Sequence, residues 1–394
     1  MQETWRWFGP DDTVSLDNIL QAGASGVVTA LDHIETGQIW PIEDIVERST
    51  LIKDVGLEWS VVESVPVHHD IKIRSGSFKN YIENYKQSIR NIGSVGISTI
   101  CYNFMPILDW TRTDLNFLLP NRSQALRFDI IDFATYDIYI LGRKNAANNY
   151  SARILERARK RLGDLKDEYI HELEKNIIAG LPGGEGSYDR SGISDMLSAF
   201  AGIDTENYRK NLRQFLEATI PAAEAAGVRM AIHPDDPPFN LFGLPRVVST
   251  SDDVKKILDF FPSPSNGITF CAGSFGARAD NDLLQMVRKF GANIFFAHLR
   301  NIIREEDGSF YESEHLNGTI DMVSVIRELI TQERQQHLSG YKHPIPMRPD
   351  HGHAMANELD NHKIRPGYSF GGRMKGLAEL RGVSKAVARL SGCA

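Results

Sequence analysis

The chain has 394 residues, of which 42% are hydrophobic and 24% charged, an ordinary composition for a globular protein with a sizeable core. Lys and Arg number 44 against 51 Asp and Glu, a net charge of −7 with no basic block. That balance argues against nucleic acid and anionic membranes as main partners, while a few local Arg residues could still hold a small anionic substrate. The three cysteines, Cys101, Cys271 and Cys393, are too few for a disulfide framework. No uncharged apolar run is long enough to span a bilayer, and Met1–Trp7 does not read as a cationic and then apolar leader, so a cytoplasmic protein is expected.

Short β-rich runs alternate with helical patterns along the chain. The runs at 4–8, 26–31, 57–63, 97–103, 228–233, 267–272, 294–299 and 345–350 are rich in Val, Ile, Phe or Trp without strict polar alternation, as strands covered on both faces should be. Helical periodicity appears at 15–22, 78–92, 252–261, 281–290 and 320–333, and Gly227 and Gly291 fall where a helix gives way to a strand. Eight strands in regular alternation with helices predict a closed (β/α)₈ barrel rather than an open sheet, since neither a G-x-G-x-x-G fingerprint nor a P-loop is present. A single catalytic domain over residues 1–394 is therefore expected, with one interruption. Between the fourth and fifth runs, a helical insertion is predicted over residues 120–220, densely charged at 150–178 and ending in a Gly-rich loop at 180–186. It reads as a solvated helical face, or as a cover over the barrel mouth or a dimer contact.

The polar residues of interest lie at the ends of the last four runs. These end in His233-Pro234-Asp235-Asp236, in Cys271, in His298-Leu299-Arg300-Asn301, and in Arg348-Pro349-Asp350-His351-Gly352-His353. Barrel strands deliver their C-terminal ends to one mouth, so His233, Cys271, His298 and Asp350 are expected to share one space. Each alone has a structural role open to it: a hydrogen-bonded His, a buried thiol, a helix-capping Asp. Together, two imidazoles, a thiolate and a carboxylate suit one divalent transition metal with an open position, unlike the paired-Cys pattern of a structural zinc site. His351, His353 and Tyr368 are candidates for proton transfer. Arg300 and Asn301 are candidates for gripping a carboxylate and hydroxyls, with His33, His68 and His69 as weaker candidates from the far side. Cys101 is expected to pack near the fourth strand.

In these segments, and in Thr4-Trp5-Arg6-Trp7-Phe8-Gly9-Pro10 and Gly26-Val27-Val28-Thr29-Ala30-Leu31, the chain resembles the mannonate dehydratases of the xylose-isomerase-like barrel group over essentially its whole length. The resemblance implies dehydration of D-mannonate to 2-keto-3-deoxy-D-gluconate in hexuronate catabolism, with Mn²⁺ or Fe²⁺ held by the positions matching His233, Cys271, His298 and Asp350. It also implies a catalytic pair at His351 and Tyr368, a small sugar acid as substrate, and a homodimer. A sugar isomerase on the same barrel is the rival reading. Such enzymes use carboxylate-rich sites, often with two metals, which a thiolate and a single evident carboxylate do not match.

Overall fold

All eight β-rich runs contain strands in the computed structural model, which describes residues 1–178, 190–341, 343–359 and 361–390. In chain order the strands are β1 (Gln2–Arg6), β2 (Gly26–Thr29), β3 (Glu58–Glu63), β4 (Thr99–Tyr102), β5 (Asp114–Leu118) and β6 (Gln124–Phe128). They continue with β7 (Arg229–Ile232), β8 (Asn266–Cys271), β9 (Ile294–His298), β10 (Ile302–Arg304), β11 (Phe310–Glu312) and β12 (Pro346–Arg348). A closed parallel barrel runs in the order β1-β12-β9-β8-β7-β4-β3-β2, so the first and last strands complete the ring. This is the expected (β/α)₈ architecture.

The strands lack polar alternation because neither face meets water. Every residue of β2, β4, β7, β8, β9 and β12 is buried. Val28, Val61, Cys101 and Phe296 pack on one another inside the ring, a filled interior rather than a pore. The outer faces join the helices in one large apolar core. The helix Phe78–Ser94 shows how: Ile82, Tyr85, Ile89 and Ile92 recur at helical spacing and are its buried side. The helix Leu16–Gln21 starts where its sequence says it should, because Ser15 and Asn18 cap each other's backbone N–H groups.

The stretch between β4 and β7 departs from expectation. It does carry helices, at Ala152–Asp164, Asp167–Ile178, Arg190–Ala199 and Thr205–Ala225, while the Gly-rich run at 180–186 lies outside the described residues. It also contributes β5 and β6, which its sequence pattern does not predict. These strands join β10 and β11, from the segment after β9, in a four-stranded sheet of order β10-β11-β6-β5. Every pairing in it is antiparallel, with Phe310 opposite Phe128 and Tyr311 opposite Arg127 where the two segments meet. The inserted chain is thus stitched to the loop that leaves β9 at the C-terminal end of the barrel strands.

Candidate active site

Three of the four expected metal ligands converge at the C-terminal mouth: one ligand atom each from His233, Cys271 and His298 lie within 4.8 Å of one another. His233 follows β7, and its Nδ1 lies 2.7 Å from the Pro234 carbonyl. A proton donated there leaves the Nε2 lone pair facing His298 Nδ1, 3.2 Å away. His298 closes β9, with Nε2 3.3 Å from Glu63 Oε1 and 3.1 Å from Arg348 Nε. Because the Arg348 Nε–H donates to that Nε2, a neutral His298 ring carries its proton on Nδ1, toward the His233 Nε2 lone pair. The outward hydrogen bond of His233 to the Pro234 carbonyl is the usual support of a metal-binding imidazole. The two ring nitrogens, 3.2 Å apart, are spaced to bind one ion at metal–nitrogen distances of about 2.0–2.1 Å.

Cys271 ends β8. Its Sγ accepts from Ser274 Oγ at 3.1 Å and lies 3.8 Å from Asp350 Oδ2. Asp350 flanks the trio rather than joining it closely, with Oδ1 3.8 Å from His298 Nδ1. Its carboxylate is drawn instead to Arg348 Nη1 at 2.6 Å and Arg300 Nε at 3.2 Å. Asp350 adopts a left-handed backbone, φ 69°, turning the chain sharply as it leaves β12. The donor set fits a divalent ion.

Electrostatics agree with that use. Burial pulls both imidazoles down, His298 well below its usual value with Arg348 adding to the effect, so each presents a neutral ring. Burial pushes the Cys271 thiol up to about 11, against the pull of Arg300. Burial also works against the Asp350 charge, yet His351, Arg348 and His298 outweigh it and hold the carboxyl well below the usual range.

His351 and Tyr368 meet beside the cluster, their rings edge to face at 5.0 Å. The Gly352 N–H donates to the Gly367 carbonyl at 2.8 Å, tying the two segments together. A side chain at Gly352 would drive a Cβ to 2.3 Å from the Arg373 nitrogen, so only glycine permits this approach. His351, Tyr368, His233 and Asp350 line one cleft together with Glu63, Asn103, Asp109, Trp110, Asp236 and Arg348.

The remaining candidates are held by groups of the protein itself. Arg300 is buried and bound to three carboxylates, Asp236 at 2.7 Å, Glu312 at 2.6 Å and Asp350 at 3.2 Å, at the floor of the site. The Asn301 amide is used up by backbone: it donates to the His315 and Ile320 carbonyls and accepts from the Ile302 and Ile320 N–H groups. His353 is similarly engaged, with Nε2 3.1 Å from the Glu312 carbonyl and Nδ1 3.5 Å from Ser123 Oγ. His33 pairs with Asp44 in an exposed setting, His68 stacks on Tyr81, and His69 packs on Phe200; none lines the cleft. Cys101 lies on β4 as expected, accepting from Thr269 Oγ1 at 3.2 Å inside the barrel. Cys393 lies outside the described residues.

Several site residues escape the sequence reading. Glu63 ends the third strand and Arg348 the eighth, positions that the strand-end rule could have flagged. Asp236 sits three residues past His233 and receives a bidentate pair from Arg112, at 2.7 and 3.1 Å. Glu312 lies in no predicted element.

A closed parallel barrel with a candidate divalent-metal centre at its C-terminal mouth has the layout of a (β/α)₈-barrel enzyme. A D-psicose 3-epimerase crystal structure shares this fold, with a TM-score of 0.50 at 10% identity over 100% of both chains. The model of the D-mannonate dehydratase family matches residues 1–392. The mannonate dehydratase of Saccharophagus degradans is 58% identical over 388 residues, 98% of each chain. The crystal structure of mannonate dehydratase from Streptococcus suis superposes with a TM-score of 0.76 at 34% identity, covering 100% of this chain and 95% of that one. The chain belongs to the mannonate dehydratase family.

Proposed function

We propose that this chain is a hydro-lyase that converts D-mannonate to 2-keto-3-deoxy-D-gluconate, with Mn²⁺ or Fe²⁺ held by His233, Cys271, His298 and Asp350. The observation that carries the reading is the facing pair of ring nitrogens beside a buried thiol, next to His351 and Tyr368, in a chain of this family. When bound, the ion supplies Lewis acidity that stabilises the negative charge developing as the proton leaves C2. His351 and Tyr368 carry the protons. Loss of the C2 proton leaves an electron pair that becomes the C2–C3 double bond as the C3–O bond breaks, and a proton delivered to the departing hydroxyl makes water. The resulting enol gives the 2-keto acid. Arg348 is the guanidinium lining the cleft; with its nitrogens meeting His298, Glu63 and Asp350, it lends positive charge to an anionic substrate rather than a free fork of donors. Asn103 and Asp109 offer partners for its hydroxyls.

No helix among the described residues is long and apolar enough to cross a membrane. A cytoplasmic homodimer acting in hexuronate catabolism is the setting this reading implies, supported by the low cysteine count and the family. The test is turnover of D-mannonate by chelator-stripped protein, before and after Mn²⁺ or Fe²⁺ is restored. Metal-dependent 2-keto-3-deoxy acid that disappears in Cys271→Ser is the expected result. Folded, metal-bound protein that makes none would overturn the assignment.

A further inference from the structure

Glu312 has no place in the proposed chemistry, yet the fold spends unusual means on it. It is the last residue of β11, in the sheet that the insertion builds with the segment after β9. Its side chain crosses to the barrel mouth and meets His351: Nδ1 of that ring lies 2.9 Å from Oε1 and 2.9 Å from Oε2. Arg300 Nη1 and Arg112 Nη2 donate to Oε1 at 2.6 and 3.0 Å, so the carboxylate is held from behind by two buried guanidinium groups. Burial favours the neutral acid, but His351, Arg300 and Arg112 prevail and bring Glu312 down to about 2.

An ionised carboxylate only accepts hydrogen bonds, so the ring nitrogen against it must carry the proton. With Nδ1 protonated, a neutral His351 presents an Nε2 lone pair on its other edge, 3.8 Å from Asp350 Oδ1. Trp110 stands edge-on to the same ring at 6.0 Å and Tyr368 at 5.0 Å, restricting its tilt. We propose that Glu312 is a positioning residue: it fixes the rotamer and tautomer of His351 so that Nε2 faces the cleft as a proton acceptor. This rests on the assignment of His351 to proton transfer. It also gives the insertion a role, because β6 is the strand against which β11 lies, and so sets where the Glu312 carboxylate falls.

Partners that orient metal-binding imidazoles are worth about 10–100-fold in affinity or activity, and a loss on that scale is expected where the oriented ring moves a proton. In metal-loaded Glu312→Gln, kcat should fall by that factor while KM for D-mannonate and metal content stay close to native, even though the melting temperature drops with the loss of a buried charge. Glu312→Asp, which keeps the charge, should recover part of the loss. Native kcat in Glu312→Gln, or a loss confined to KM or metal content, would overturn the proposal. The second measurement is nitrogen-15 NMR of His351 in the native chain loaded with diamagnetic Zn²⁺, which applies even where the variant does not fold. An Nδ1-protonated ring is expected, and an Nε2-protonated neutral ring would refute it. The NMR result does not depend on the reaction, so failure of this inference and failure of the dehydratase assignment are separable.

Discussion

The two members of the proton-transferring pair differ in the charge state their surroundings favour. Burial pushes the Tyr368 phenol up to about 12, against the pull of Arg348, so it keeps its proton through the neutral range and is ready to give one. His351 faces a fixed carboxylate on one side and the cleft on the other. Positioned acid–base groups contribute about 10²–10⁴-fold. Tyr368→Phe and His351→Ala should each lose turnover on that scale while still binding the metal, as checked by metal analysis beside initial rates. Metal-loaded variants with near-native turnover would remove the pair from the mechanism. Cys271 adds a second residue-scale point: with its thiol up at about 11, the side chain must release a proton to become a thiolate ligand, so metal uptake should acidify an unbuffered solution.

Among the elements, the small antiparallel sheet separates what the sequence disclosed from what it concealed. Barrel strands such as β8 and β9 were legible because an uninterrupted apolar run this short, bounded by helical patterns, fits little besides a strand covered on both faces. His233, Cys271 and His298 followed from their place at strand ends. β5, β6, β10 and β11 were not legible. They are three to five residues long, β5 is largely uncovered, and each is held by its sheet partners rather than by its own pattern. Glu312 was hidden for the same reason: nothing local says that β11 will find β6, a strand from before the insertion's helices. Phe128 is the apolar anchor of that pairing, fully buried among Phe133, Phe239 and Phe310 at 5.5, 5.5 and 5.8 Å. Phe128→Ala should cost about 3–5 kcal/mol in denaturant unfolding. Turnover should fall as well, since β11 loses its support. An unchanged unfolding midpoint would show that the sheet is not held this way.

Across the whole molecule, the catalytic end is a layer of buried, matched charge. Asp236, Glu312 and Asp350 face Arg112, Arg300 and Arg348, all nearly excluded from solvent. Breaking one partner of such a pair leaves the other uncompensated, which costs far more than a surface pair is worth. The folded chain holds Glu312 at about 2, and Asp236 and Asp350 lie well below their ordinary values, Arg112 and Arg300 overcoming burial at Asp236. Unfolded carboxylates titrate near about 3.9–4.3. The stabilisation is therefore complete above about pH 4.5 and is lost as acid carries the solution down through the folded values. Melting temperature recorded from about pH 6 to about pH 2 on metal-free protein should drop steeply below about pH 4.5, and Glu312→Gln should flatten part of that drop. A profile level down to about pH 3 would contradict the matched-charge layer.

The backbone contact at Gly352 has a consequence for how the molecule can vary. Gly372, across that contact, is equally confined: a Cβ there would meet the His353 carbonyl at 2.2 Å. Neither glycine has a side chain to offer the reaction, yet replacing either would pry apart the two segments that bring Tyr368 to His351. A survey of tolerated substitutions read by activity alone would rank these two positions beside the reacting residues. Immutability at this end of the barrel thus marks two different demands, one chemical and one of bare room.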